Sequence, residues 1–272
     1  MLPTTLIVGA TRGLGASLAA AYAESGATVY ATSRAASPPA SPAHANITWI
    51  PGIDTATESA GNTLVSAFPA HVVFDTVIVC AGYFAREDPL KADWAEEVKM
   101  YTTCAVGPLF IVQALVGNPD NDSCKIKTNL GVEGVTGGKV VLVSSESGSI
   151  TLRHASEGGG NYAHHASKTA LNMVGKLLSL DLADRGITVA LVHPGFMRTD
   201  MTKNVGYDTA WDSGGAVTPD EAASSLIPFI DTFTIGMTGQ FWAPRGARDI
   251  GTAEAVLSDQ AEREKVPLSL PW

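Results

Sequence analysis

Thr4-Thr5-Leu6-Ile7-Val8-Gly9-Ala10-Thr11-Arg12-Gly13-Leu14-Gly15 is the stretch on which the fold turns. Residues 4–8 are apolar and β-branched enough for a short buried strand, and the Ala-rich segment after Gly15 reads as a helix to about Glu24. Strand, glycine turn and helix in that order is the layout of a dinucleotide site. The glycines permit a tight turn and close approach of backbone to a pyrophosphate, and the helix N-terminus favours the anion. The spacing is G-x-x-x-G-x-G rather than G-x-G-x-x-G. A plain strand-to-helix turn uses the same residues, so the rest of the chain has to decide.

Working outward, the next strand, 28–32, runs into Ser33-Arg34 with no Asp or Glu at its end. An acid there would hold the ribose hydroxyls of NAD. Arg34, with Arg12 in the glycine loop, instead suits a 2′-phosphate, so the expected cofactor is NADP(H). A Pro-, Ser- and Ala-rich loop spans 35–45. Further strands are expected at 47–50 (followed by Asp54), 74–80 (ending in Ala81-Gly82), 139–144 (ending in Ser144-Ser145), 187–192 (ending in Pro194-Gly195) and 239–242. Helices are expected at 57–68, 94–116 and 219–230. Strands alternating with helices imply an α/β fold of Rossmann type: a doubly wound, mostly parallel seven-stranded sheet with helices on both faces. The chain reads as a single domain over 1–272. A polar surface insertion lies near 117–138 and an extended tail near 253–272. Within the tail, 253–265 has the mixed charge of an exposed helix. Pro267-Leu268-Ser269-Leu270-Pro271-Trp272 is apolar enough to dock, either along the substrate cleft or on a neighbouring subunit.

Composition narrows the function. Apolar residues make up 45% of the 272, which suits one sizeable core. A formal charge of -9 and a pI near 5.1 argue against nucleic acid or an acidic membrane as partner. Cys80, Cys104 and Cys124 have neither metal-site spacing nor the even count of a disulfide scaffold. No basic leader precedes the first strand and no run is long enough to span a bilayer, so a soluble, cytoplasmic protein is expected.

The second decisive stretch is Asn161-Tyr162-Ala163-His164-His165-Ala166-Ser167-Lys168. It should begin a helix running to about Leu182, with Ala170, Leu171, Val174, Leu177, Leu178 and Leu182 at helical spacing. His164 and Lys168 are four apart and share a face, while Tyr162 points elsewhere.

Taken together these motifs resemble the short-chain dehydrogenase/reductase family over nearly the whole chain. Gly9, Thr11, Arg12, Gly13, Leu14 and Gly15 correspond to its cofactor loop. Asp54 corresponds to the acid that contacts adenine, and Ala81-Gly82 to the end of its Asn-Asn-Ala-Gly stretch, here with Val79-Cys80 in place of both asparagines. The resemblance makes Ser145 the catalytic serine and Lys168 the catalytic lysine, which also holds the nicotinamide ribose. Pro194, Gly195 and Thr199 would close over nicotinamide. Relatives pair through the helices matching 94–116 and 161–182, which implies a homodimer or homotetramer. The chain departs from the family at two places. Counting four back from Lys168 reaches His164 where the family has its catalytic tyrosine, and the helix asparagine position falls on Cys104, before Gly107-Pro108.

A lysine ammonium beside an imidazole disfavours its protonation, so His164 should be neutral and better at accepting a proton than at giving one. Tyr162 is the rival proton carrier, should the Gly158-Gly159-Gly160 run let the helix start late; its other reading is a surface aromatic at the helix start. His165 should face away from the site, and His154 sits on the loop before the glycine run. No metal-ligand pattern is present. Tyr83, Phe84, Tyr101, Phe196, Met197 and Trp211 suggest an apolar, aromatic-lined pocket for a small hydrophobic substrate. Three classes stay open: an NADP(H)-dependent oxidoreductase on a hydrophobic carbonyl or alcohol; a non-redox dehydratase, isomerase or cyclase using His164 and Ser145; and an inactive nucleotide-binding protein.

Overall fold

The structure, a computed structural model, describes residues 3–37, 44–88, 90–117, 123–129, 137–257 and 259–272. Much of the loop expected at 35–45 and most of the insertion expected at 117–138 lie outside the described residues. Eight strands make one sheet: β1 (Thr4–Val8), β2 (Thr28–Thr32), β3 (Ile47–Ile50), β4 (Thr76–Val79), β5 (Lys139–Val143), β6 (Thr188–Val192), β7 (Gln240–Ala243) and β8 (Leu268–Ser269). Their order is β3-β2-β1-β4-β5-β6-β7-β8. All pairs are parallel except β7 with β8, in which Trp242 faces Ser269 and Ala243 faces Leu268.

Successive side chains of the central strands enter opposite layers. Leu6 and Val8 of β1, Val77 and Val79 of β4 and Val140 and Leu142 of β5 point into one apolar layer. Ile7, Ile78 and Val141 point into the other. Burial on both faces is why these strands read as continuous apolar runs rather than as alternations. The first layer packs beneath α2 (Ala60–Ser66), α4 (Gly107–Val116) and α5 (Tyr162–Asp181). The second packs beneath α1 (Gly13–Glu24) and α7 (Pro219–Thr232). From β1 the chain winds outward through β2 and β3, and from β4 it winds the other way. That reversal opens a crevice at the carboxyl ends of β1 and β4, where open α/β sheets bind their ligands.

Two features differ from expectation. The helix expected over 94–116 is α3 (Trp94–Tyr101), a π-helical segment (Thr102–Val106) and α4. Pro108 has no N–H to offer the carbonyl of Cys104 and its ring crowds that carbonyl, so the coil widens just before it. The sheet also has eight strands rather than seven. The apolar tail docks as an edge strand of its own sheet. Leu268 and Leu270 are buried, and the amide of Leu270 donates to Phe241 O at 2.8 Å. Trp272 stacks on Phe241 with ring centroids 6.0 Å apart. Ahead of it, 253–265 forms two short turns, α8 (Ala253–Val256) and α9 (Gln260–Arg263), instead of one helix.

Candidate active site

The crevice is a cavity of about 1410 Å³ that runs from the glycine loop to the start of α5. Its cofactor end is made by backbone. Gly9 has φ +87° and an added Cβ would lie 2.8 Å from the Ala81 backbone; at Gly15 a Cβ would lie 2.2 Å from Gly9 O. The cradle therefore stays open only without side chains, and it sits at the N-terminus of α1, where the first amides have no intrahelical partner. Thr32 Oγ1 accepts from Gly9 N at 2.9 Å and ties the loop to the end of β2. These residues fit a dinucleotide pyrophosphate.

Of the residues singled out in the sequence, Gly9, Thr11, Arg12, Gly13, Leu14, Gly15, Arg34, Ala81, Gly82, Pro194, Gly195 and Thr199 all line this cavity. Asp54 is not on its wall. Its carboxylate is turned to the amide of Ala56, at 3.0 Å, while Ile53 and Thr55 beside it face the cavity. Thr199 caps α6 (Asp200–Asn204) through Thr202, which orients its hydroxyl from within its own turn.

Ser145, Tyr162, His164 and Lys168 line the other end. The Ser145 loop is held on α5 by side chains one residue and one turn beyond Lys168. Thr169 Oγ1 donates to Gly148 O at 3.0 Å, Asn172 Nδ2 donates to the same carbonyl at 3.2 Å, and Ser144 Oγ donates to Asn172 Oδ1 at 2.6 Å. Ser145 Oγ accepts from Ser147 N at 3.2 Å, leaving its proton free for the cavity. Lys168 Nζ donates to Val143 O at 2.9 Å, which anchors a buried ammonium beneath the site.

Asn161, ahead of α5, takes a left-handed conformation and gives the helix no side-chain cap. The cap comes from Glu87, 77 residues before His164. Its Oε1 accepts from Ala163 N at 3.0 Å and from His164 N at 3.1 Å, an anion at the positive end of the helix. His164 is 9% exposed and stacked on Phe84 with ring centroids 3.9 Å apart. Its Nδ1 is enclosed and has no hydrogen-bond partner. Burial first, then the charge of Lys168, with His165 and Arg153 behind it, push its pKa down to about 3. The imidazole is neutral at physiological pH, as the Lys168 argument anticipates, although burial is the larger cause.

His165 does not face away. It lies on the cavity wall, with Nδ1 donating to Asn161 O at 2.8 Å and Nε2 accepting from Arg153 Nη1 at 3.2 Å. Arg153 also pairs with Glu157 at 2.9 Å and with Glu146, so it cross-links the loop after Ser145 to the start of α5. Tyr162 is 56% exposed at the cavity rim, with its hydroxyl turned toward Gly159. Tyr83, Phe84, Phe196 and Met197 line the cavity as expected, but Tyr101 and Trp211 do not. Cys104 is buried and bridges the Tyr83 backbone, accepting from its N and donating to its O, both at 3.3 Å.

Tyr207 is an aromatic wall residue that sequence reading missed. Its hydroxyl accepts from Asn161 Nδ2 at 2.7 Å, and its ring meets Phe84 edge-on at 5.9 Å. Glu87 and Arg153 were missed as well. The partners of Glu87 lie 76 and 77 residues away, and a charged residue in an irregular loop, such as Arg153, carries no periodic signal.

A family model described as short chain dehydrogenase matches residues 3–210. The chain is 29% identical over 241 residues to 1-hydroxy-2-glutathionyl-2-methyl-3-butene dehydrogenase of Rhodococcus sp. (strain AD45), spanning 88% of this chain and 96% of that protein. Among solved structures, carbonyl reductase Sniffer of D. melanogaster gives a TM-score of 0.70 at 22% identity and covers 100% of both chains. NADPH-bound carbonyl reductase from chicken fatty liver gives 0.70 at 21% identity, over 89% of this chain and 96% of that one. The structural likenesses carry the fold, and the family match carries the rest of the conclusion: the chain belongs to the short-chain dehydrogenase family of oxidoreductases.

Proposed function

We propose that this protein is an NADP(H)-dependent oxidoreductase acting on a small hydrophobic, polyketide-like or aromatic, carbonyl or alcohol, with His164 at the position where the family places its tyrosine. The observation that carries this reading is that Ser145, His164 and Lys168 line the same cavity as the glycine cradle. Arg12 and Arg34 are exposed on that cavity, and β2 ends without an acid, which favours a 2′-phosphate. The likeness to an NADPH-bound carbonyl reductase supports the same choice. Bound NADPH supplies a hydride, and NADP⁺ accepts one in the reverse direction.

The residues of the chain then handle the oxygen. Ser145 offers a hydroxyl proton to it. The enclosed Nδ1 of His164 leaves Nε2 as the nitrogen that can meet a substrate. A ring with a pKa of about 3 is not an imidazolium at neutral pH, so it acts on the oxygen as a neutral hydrogen-bond donor rather than as a strong acid. The buried Lys168 ammonium adds a positive field where negative charge develops on the oxygen, and the final proton comes from solvent. The same neutral ring favours a second reading, in which His164 and Ser145 move protons without redox change, as in a dehydratase, isomerase or cyclase. Incubation with NADPH and a panel of hydrophobic ketones, following product mass and cofactor absorbance together, decides between them. Product with matched NADPH loss is the expected result; product without cofactor loss selects the second reading.

We also propose that two copies pair through α3, α4 and α5, whose outer faces expose Trp94, Phe110, Met173, Leu177 and Leu180. Light scattering at micromolar concentration should give a dimer or tetramer, and a monomer would rule the pairing out.

A further inference from the structure

Beside Pro194 and Gly195, on the wall of the same cavity, lies a buried pair that neither the cradle nor the start of α5 uses. His193 follows β6 and Asp249 follows β7, and their side chains are 6% and 1% exposed. The amide of Glu146 donates to His193 Nδ1 at 3.0 Å. The direction of a backbone N–H is fixed, so Nδ1 carries a lone pair, which leaves Nε2 as the ring nitrogen that bears a proton. That Nε2 lies 3.7 Å from Asp249 Oδ2, longer than a direct hydrogen bond but near enough for the carboxylate to orient the N–H dipole. The same Oδ2 accepts from Phe196 N. Burial raises the Asp249 carboxyl, but the nearby His193 ring and the amides of Phe196 and of Asp249 itself outweigh it and hold the group below the ordinary carboxylate range. Space around the pair is tight: a Cβ at Gly195 would lie 2.8 Å from Oδ2.

The two side chains join three segments that have separate tasks in the proposed reaction. Glu146 follows Ser145. Phe196 follows the Pro194-Gly195 segment on the cavity wall. Asp249 belongs to the segment between β7 and β8, which has no other stated role. We propose that Asp249 and His193 are positioning residues: through Glu146 they set the Ser145 hydroxyl, and through Phe196 they set the wall at the cofactor's reacting end. What is positioned rests on the oxidoreductase reading above; the tautomer and the linkage do not.

Two substitutions at His193 split the linkage. His193→Asn keeps an acceptor near the place of Nδ1 and loses the reach to Asp249. His193→Gln puts an amide nitrogen near the place of Nε2 and loses the Glu146 contact. For His193→Asn, KM for NADPH should rise about tenfold with kcat within about threefold of wild type. For His193→Gln, kcat should fall about ten- to a hundredfold with KM nearly kept, the scale of a small misplacement of reacting groups. Asp249→Asn, which preserves shape, should follow His193→Asn. A merely structural pair would lower kcat and raise KM alike in all three variants, or leave both unchanged, and either pattern overturns the proposal. Nitrogen NMR of the His193 ring needs no turnover: a proton on Nε2 alone at neutral pH is expected, and a proton on Nδ1 overturns the linkage. If the wild type neither binds nor consumes NADPH, the oxidoreductase reading fails, and the ring measurement still decides the pair.

Discussion

The two ends of the cavity are built from different materials. At the glycine-loop end the wall is largely backbone, left clear by Gly9, Gly13 and Gly15, with the Arg12 and Arg34 side chains at its margin. At the reacting end, the first two turns of α5 present Tyr162, His164, His165 and Lys168, and their roles depend on Phe84, Glu87 and Arg153 arriving from elsewhere in the chain. A backbone cradle accepts little variation, because an added Cβ at Gly9 or Gly15 meets another main-chain atom and Gly13 holds φ +55°. A side-chain site can exchange an imidazole for another group and keep its walls. The difference predicts that variants at the two ends fail separately, one in binding and the other in turnover.

The largest effect is expected at His164. His164→Ala should lower turnover by about a hundred- to ten-thousandfold while NADPH affinity, measured by calorimetry, stays close to wild type. Tyr162→Phe, at the exposed rim, should change turnover by no more than about threefold, and His164→Tyr, which restores the Tyr-x-x-x-Lys spacing, should raise ketone reduction above wild type. The inverted pattern, with Tyr162→Phe inactive and His164→Ala tolerated, would move the proton role to Tyr162.

How much of each end was legible follows from the same contrast. Gly9, Gly13 and Gly15 announce their geometry because glycine spacing is itself the shape of the turn. The α5 helix was legible because Leu171, Val174, Leu178 and Leu182 repeat at its period. The partners of α5 were not. Glu87 sits in an irregular loop, and only the fold brings it to the amides of Ala163 and His164. His165 was placed outward by helical spacing, but a helix start is crowded from several sides, and Arg153 and the Asn161 carbonyl give its ring two partners on the cavity wall. The edge strand β8 spans only Leu268–Ser269, too short to show a period; its docking depends on Phe241 and Trp242 in another part of the sequence. The π-helical widening at Thr102–Val106 carried a signal, Pro108, that a reading of apolar period alone passes over.

A smaller effect is expected at the cofactor end. Arg34→Ala should weaken NADPH binding by about tenfold, the scale of one charge-assisted contact to a phosphate, while NADH affinity and saturated turnover stay near wild type. Calorimetry with both cofactors reads this directly. Equal wild-type affinities for NADPH and NADH would remove the assigned role of Arg12 and Arg34 and leave the glycine cradle unaffected.

The last effect is absent at neutral pH and appears only on acidification. His164 titrates near 6.5 in the unfolded chain and near 3 in the fold. Between those values the unfolded chain binds a proton that the folded protein refuses, so stability is intact above about 6.5 and declines as pH falls toward about 3. The limiting slope for one such group is about 1.4 kcal/mol per pH unit. Asp249, whose folded pKa is depressed, adds loss of the same sign as pH falls through its folded value, so the wild-type curve alone does not isolate the imidazole. His164→Phe does, because it keeps an aromatic ring against Phe84 and removes the titration. Urea unfolding at several pH values from 8 down to 4.5 should show the wild type losing stability more steeply than this variant, with the two lines converging in slope above pH 7. Parallel lines throughout would mean that the folded site protonates His164 as readily as water does, and the case for a neutral ring beside Lys168 would go with them.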